Sequence, residues 1–250
     1  MKKYLAVLLA VLIFSGVFAV GASAASTSDT VLVLDYSGSM DGEPLEALKE
    51  AAALFCQGVI SAAGSHRVAL VIYSDDLVTK EYSDEYQALA DFINATYLGG
   101  TTNITAALKK AHEYIRASSA DVKNVLLMAD GMPNDGETSS TGPYTSSDYG
   151  SWMYANATYN AAVELRKDCR LYTLGFFHNL VDSEKEFATR FMTDLQNEGY
   201  WEVNLPEQLQ VTFDDILSDM QVVTAAWWET IPVWLQWILR YLGFGWIWMK

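Results

Sequence analysis

An α/β domain with a mostly parallel sheet flanked by helices, and one antiparallel edge strand, is predicted by three observations. Short apolar runs rich in β-branched residues alternate with longer stretches whose apolar residues recur at helical spacing, the pattern of strands joined by helices. Two of the runs, at 31–35 and 125–130, end in an aspartate. One neighbouring pair of runs is separated only by Ser74-Asp75-Asp76, which makes that pair a hairpin and supplies the antiparallel member.

The elements follow in order. Residues 31–35 are apolar up to Asp35 and are entered from the polar segment 26–30, so they read as a buried strand. A helix is predicted over 44–60, with Leu45, Leu48, Ala52, Phe55, Cys56 and Val59 on one side and Glu43, Glu46, Lys49 and Glu50 on the other. The next strand is 67–73 and its hairpin partner 77–82. A short helix at 85–93 precedes Gly99-Gly100, which breaks the chain before an amphipathic helix at 103–117. The strand at 125–130 ends at Asp130 and is stopped by Gly131. From 132 to 150 the chain is rich in Ser, Thr, Gly, Asp and Tyr without apolar periodicity and is expected to be a long loop. A helix at 153–167, a strand at 170–175, a helix at 184–196, a short strand at 201–203 and a helix at 206–221 complete one unit without internal repeats.

That unit, residues 28–221, lies between two apolar ends. Across 250 residues, 16 Lys/Arg face 31 Asp/Glu for a net charge of −15, which argues against a nucleic-acid partner because no basic surplus is left to neutralise phosphates. Lys2 and Lys3, the apolar stretch 4–20 and Ala22-Ser23-Ala24 have the order of a signal peptide over 1–24, cut before Ala25, with an uncleaved anchor as the alternative. The expected location is therefore secreted or cell surface, where Cys56 and Cys169 could form a disulfide or remain buried thiols.

The other end, 222–250, holds six of the eight Trp. Its 19-residue stretch 231–249, IPVWLQWILRYLGFGWIWM, would extend about 28 Å as a helix, close to the ~30 Å hydrocarbon thickness. Arg240 near its middle would cost roughly 2.5–3.5 kcal/mol in a simple span, and Trp and Tyr favour the interface. A membrane-associated helix lying at the interface is expected, and packing on the domain or on a partner is the alternative.

The chemistry gathers at the strand ends. In an open α/β sheet, ligands bind outside the carboxyl ends of the strands, where the strand order reverses. If 125–130 lies beside 31–35, Asp35 and Asp130 converge there. Asp35, Ser37 and Ser39 place oxygen side chains at alternate positions of one tight loop, and Gly99-Gly100-Thr101-Thr102 brings a hydroxyl on a turn before a helix. Two carboxylates and three hydroxyls without Cys or His suit Mg²⁺, Mn²⁺ or Ca²⁺, not Zn²⁺.

These residues resemble the von Willebrand factor type A domains, whose metal-ion-dependent adhesion site has the order D-x-S-x-S, a Thr after paired glycines, then an Asp ending an apolar strand. The resemblance covers roughly residues 30–221 and implies a doubly wound, Rossmann-like sheet. It also implies direct metal coordination by Ser37 and Ser39, coordination by Thr102 directly or through water, and Asp35 and Asp130 acting mostly through water. One position stays open for an Asp or Glu of a protein partner. Thr101 competes with Thr102 as the ligand, and the family pattern favours Thr102. The implied role is adhesion or interaction, not catalysis.

Other readings fit less well. Asp35 to Glu46 mimics a calcium-binding helix-loop-helix, but Met40 stands where that loop needs Gly. A phosphatase with an aspartate nucleophile would need a second Asp where Ser37 stands. No Gly-x-Ser-x-Gly elbow and no Gly-x-Gly-x-x-Gly turn are present, and His66, His112 and His178 read as surface or boundary residues. Asn94, Asn103 and Asn156 begin glycosylation-type triplets, which are frequent by chance. Tyr144, Tyr149, Trp152 and Tyr154, in or beside the long loop, either anchor a partner or pack the loop on the domain.

Overall fold

A computed structural model describes residues 27–225; the expected signal peptide and the apolar stretch 231–249 lie outside the described residues. The order is β1 (Thr27–Asp35), α1 (Glu43–Ser61), β2 (Ser65–Tyr73), β3 (Leu77–Ser83), α2 (Tyr86–Ala95), α3 (Ile104–Ala117), β4 (Val122–Ala129), α4 (Trp152–Leu165), β5 (Arg170–Phe176), α5 (Asp182–Leu195), β6 (Gly199–Val203) and α6 (Leu209–Ala225). The strands lie in the order β3-β2-β1-β4-β5-β6, with β3 antiparallel to β2 and the other pairs parallel. The chain builds outward from β1 to β3, then α3 carries it back past β1 to β4. The order therefore reverses between β1 and β4, as the doubly wound reading requires.

Each face of the sheet carries three helices. Leu32, Leu34, Leu70, Ile72, Leu126 and Met128 face α1, α2 and α6, while the alternate residues Val31, Val33, Val71, Val125 and Leu127 face α3, α4 and α5. All of these are fully buried, and each contributes on the order of 1.5–3 kcal/mol of burial. The apolar stripe of α1 works as its spacing indicates: Phe55 meets Phe213 of α6 edge-to-face at 5.5 Å. Gly58 allows this close approach, since a Cβ there would lie 2.2 Å from Leu217 Cδ2.

Four expectations change. The strand β1 begins at Thr27, inside the segment expected to be a polar lead-in, because its polar side chains find buried partners. Asp29 accepts from Arg67 Nε at 2.9 Å, from Arg67 Nη2 at 2.6 Å and from Ser118 Oγ at 2.7 Å. His66 is not a boundary residue but a buried one, with Nδ1 2.6 Å from Ser28 Oγ. Lys49, assigned to the polar side of α1, is buried with its amine 3.1 Å from Glu46 Oε1. Cys56 and Cys169 are free thiols that pack on opposite faces of the sheet, so the disulfide alternative falls.

The long loop after β4 is tied down from outside itself. Asn156 of α4, fully buried, accepts from Tyr144 N and donates to Tyr144 O, both at 3.0 Å. Tyr144 packs edge-on to Tyr159 and Phe187, its hydroxyl donates to Asp194 Oδ2 at 2.9 Å, and Tyr149 stacks on Phe187 at 5.2 Å. These two tyrosines hold the loop on the domain. Asn156 is a packing residue and Asn103 caps α3 by accepting from Ala106 N.

Candidate metal centre

The crevice between β1 and β4 is built mostly from backbone. Asp35 ends β1, and the Tyr36 side chain turns into the core, where its hydroxyl donates to Ile93 O at 3.1 Å. That alternation returns Ser37 to the crevice, where its N–H donates to Asp35 Oδ1 at 2.9 Å and its hydroxyl lies 3.1 Å from that of Ser39. Gly38 N–H donates to Gly100 O at 3.1 Å, clamping this turn to the paired glycines. Gly100 has φ +103, and a Cβ there would lie 2.3 Å from Asp75 Oδ1, so glycine is required.

The clamp decides which threonine faces the crevice. Thr102 is buried and exchanges two hydrogen bonds with Asn134: its N–H donates to Asn134 Oδ1 at 2.9 Å and its carbonyl accepts from Asn134 N at 3.2 Å. Thr101 is exposed and its hydroxyl is taken by Asp135 Oδ2. The structure thus brings Asp35, Ser37, Ser39, Thr102 and Asp130 to the carboxyl ends of the central strands and turns Thr101 away.

Electrostatics mark the pair of aspartates. Asp35 is fully buried, and burial and then the Asp130 charge push its carboxyl well above the usual range, partly offset by Ser37 and Tyr73. Burial likewise raises Asp130, with Ser39 near enough to lower it in part. Tyr73, paired in register with Asp35, donates to Asp35 Oδ2 at 3.0 Å; burial and the Asp35 charge raise its own pKa, so it remains a donor. Asp130 is 3% exposed, and neither of its oxygens has a hydrogen-bond partner.

The side chains fit a hard cation. Two buried carboxylates, one of which makes no hydrogen bond of ordinary length, are costly to ionise side by side, and a cation between them would remove that cost. Beside the pair, the side chains of Ser37, Ser39 and Thr102 offer hydroxyl oxygens and no nitrogen or sulfur, a donor set that suits a hard cation. Sequence reasoning missed Tyr73 and Asn134. The level of Tyr73 in the sheet was a usable signal; Asn134 lies in a loop without pattern. Beside Ser39, Thr102 and Asp130 opens a cleft of about 350 Å³ that runs to the start of α5.

Comparison with known proteins gives one consistent result. A family model described as von Willebrand factor type A domain matches residues 29–197. A curated relative, inter-alpha-trypsin inhibitor heavy chain H1 of Mesocricetus auratus, is 24% identical over 211 residues, covering 78% of this chain and 21% of that protein. The chain thus spans about a fifth of that relative. The vWF domain of the type V pili tip protein Mfa5 from Porphyromonas gingivalis matches with TM-score 0.69 at 15% identity, over 80% of this chain and 97% of that one. The PilB minor pilin of Streptococcus sanguinis gives 0.65 at 17%, over 84% and 64%, and the pilus adhesin SpaC of Lactobacillus rhamnosus GG gives 0.64 at 17%, over 78% and 30%. At these identities the likeness is one of fold.

Proposed function

The chain belongs to the von Willebrand factor type A domain family, and from that premise we propose that it is an exported protein-binding module, not an enzyme, that captures an Asp or Glu of a partner through a divalent cation. The observation that carries this reading is Asp130: two buried oxygens without a donor, beside a second buried carboxylate. Asp35, Ser37, Ser39, Thr102 and Asp130 would hold Mg²⁺, or Mn²⁺ or Ca²⁺. When bound, the ion supplies an open coordination position for the partner's carboxylate oxygen. Tyr73 and the Ser37 N–H hold the Asp35 carboxylate in one orientation, and Gly38, Gly100 and Asn134 hold the two turns in register. Among the described residues neither Asp35 nor Asp130 makes an ion pair, which leaves the two carboxylates available to the ion.

The likeness to a pili tip protein, a minor pilin and a pilus adhesin supports a surface location and an adhesive role. The Trp-rich sequence 222–250 supports a second form of the same reading, a membrane-tethered assembly subunit. Co-sedimentation with liposomes should require residues 222–250; equal behaviour of the full and shortened chains removes the membrane association.

A ligand of the folded state alone stabilises by about 2.7 kcal/mol at a hundredfold excess over Kd. Melting temperature should therefore rise with Mg²⁺ or Mn²⁺ and fall back with EDTA. No response to either cation or chelator overturns the metal reading. Mg²⁺-dependent turnover of a hydrolysable substrate, lost in Asp35→Ala, would instead make the protein a hydrolase.

A further inference from the structure

The segments that connect the elements at the carboxyl ends of the strands, where the candidate metal centre lies, carry acids but no cationic side chains of their own, and the cations beside them, Arg190 on Asp148 and Lys109 on Glu137, come from helices. These segments, 35–43, 74–76, 96–103, 130–151, 177–184 and 204–208, contain twelve Asp or Glu and no Lys or Arg. Acids on a surface are by themselves solvated groups. Three of the twelve, Asp130, Asp148 and Glu184, line one cleft, whose inner end is Asp130, almost fully buried, with both oxygens lacking a partner.

The far wall of the cleft is specific in its chemistry. Leu180, Phe187 and Tyr149 give it an apolar side, with the Tyr149 and Phe187 rings stacked at 5.2 Å, and Asp148 and Glu184 stand on it. Asp148 is already compensated by Arg190 Nη2 at 2.7 Å and by Thr145. Glu184 is exposed and makes no ion pair among the described residues, and the adjacent Lys185 points instead to Glu202 and Asn204. An apolar wall ending at a free carboxylate suits a long basic side chain, which lays its methylenes on apolar surface and keeps its charged head at the acid. The cleft volume of about 350 Å³ is ample for one such side chain.

We propose that this cleft is a second subsite that takes a Lys or Arg standing near the captured acid, so that the partner is a protein segment carrying both charges. The proposal rests on the metal-dependent reading above. That reading alone would accept any exposed carboxylate; the cleft selects one with a basic neighbour, and Glu184 is the residue that makes the selection.

The probe is a set of short synthetic peptides, each with one Asp and one Arg at varied separation, and matched peptides with neutral citrulline in place of Arg. Binding is read by fluorescence anisotropy in saturating Mg²⁺. The best Arg peptide should bind about threefold tighter or more than its citrulline match, as a partly exposed ion pair would give. Glu184→Gln should abolish that ratio and leave the Mg²⁺-induced rise in melting temperature unchanged. A ratio of one in the wild type, or one that persists in Glu184→Gln, overturns the subsite. Absence of binding by every peptide with the Mg²⁺ rise intact also overturns it, whereas loss of the Mg²⁺ rise itself removes the metal reading underneath.

Discussion

Replacing Asp130 by Asn should stabilise the protein in chelator and abolish its response to Mg²⁺, an inversion that few structural roles would produce. In the folded chain burial raises the Asp130 pKa from 3.8 to about 6. The sign follows from linkage: the folded state holds the proton more tightly than the unfolded state, so stability is full below about pH 4 and is lost as pH rises through about 6. At about pH 8 without cation, ionised Asp130 therefore lowers stability by on the order of 2–3 kcal/mol. The Asn amide stays neutral and avoids that loss, and for a domain of this size roughly 2–4 °C accompanies each kcal/mol. Differential scanning calorimetry in EDTA near pH 8 should place Asp130→Asn roughly 4–12 °C above the wild type, with the gap closing near pH 4. Mg²⁺ at a thousandfold excess over Kd should then raise the wild type by about 4 kcal/mol and reverse the order. A variant less stable than the wild type in EDTA at pH 8, or one as responsive to Mg²⁺, would refute the argument that Asp130 is an unpartnered charge kept for a cation.

Tyr73→Phe removes the hydroxyl donated to Asp35 and leaves that buried carboxylate with one donor fewer. It should cost about 1–3 kcal/mol in chelator denaturation while Mg²⁺ still raises the melting temperature. Gly100→Ala forces a side chain onto φ +103 and into Asp75. A loss of about 1–3 kcal/mol is expected, with weaker Mg²⁺ affinity by titration calorimetry because the strained turn carries Thr102. Arg67→Ala leaves the carboxylate of Asp29, 2% exposed, without its cationic partner and with the Ser118 hydroxyl as its remaining side-chain donor. Urea denaturation should show a loss of about 3 kcal/mol, and Mg²⁺ binding at the opposite end of β1 should be unaffected.

The parts of the fold legible in the sequence are those whose cause is local. Val31 to Leu34 and Val125 to Ala129 are buried on both faces and so appear as unbroken apolar runs, and the strand-helix alternation fixes which ends of the strands face each other. The Asp35-Tyr36-Ser37-Gly38-Ser39 turn is legible for the same reason, since alternation alone sends Tyr36 into the core and Ser37 to the crevice. The start of β1 was hidden because Asp29 is satisfied by Arg67 and Ser118, 38 and 89 residues away. The loop after β4 was hidden because it is anchored by Asn156 and by aromatic residues of α5, not by any periodicity of its own.

The choice between Thr101 and Thr102 shows where the two kinds of information meet. Spacing alone leaves both hydroxyls available on one glycine-rich turn. The positive φ of Gly100 and the contact of its carbonyl with Gly38 orient the turn, Asn134 then grips Thr102 on both sides, and Thr101 is left to solvent and to Asp135. Each of these contacts lies far away in sequence but close to the end of a strand. The topology that places Asp35 and Asp130 together is therefore also what turns Thr102, and not Thr101, to the crevice. A change at Asn134 should accordingly disturb cation binding more than a change at Thr101, although Thr101 and Thr102 are adjacent and chemically identical.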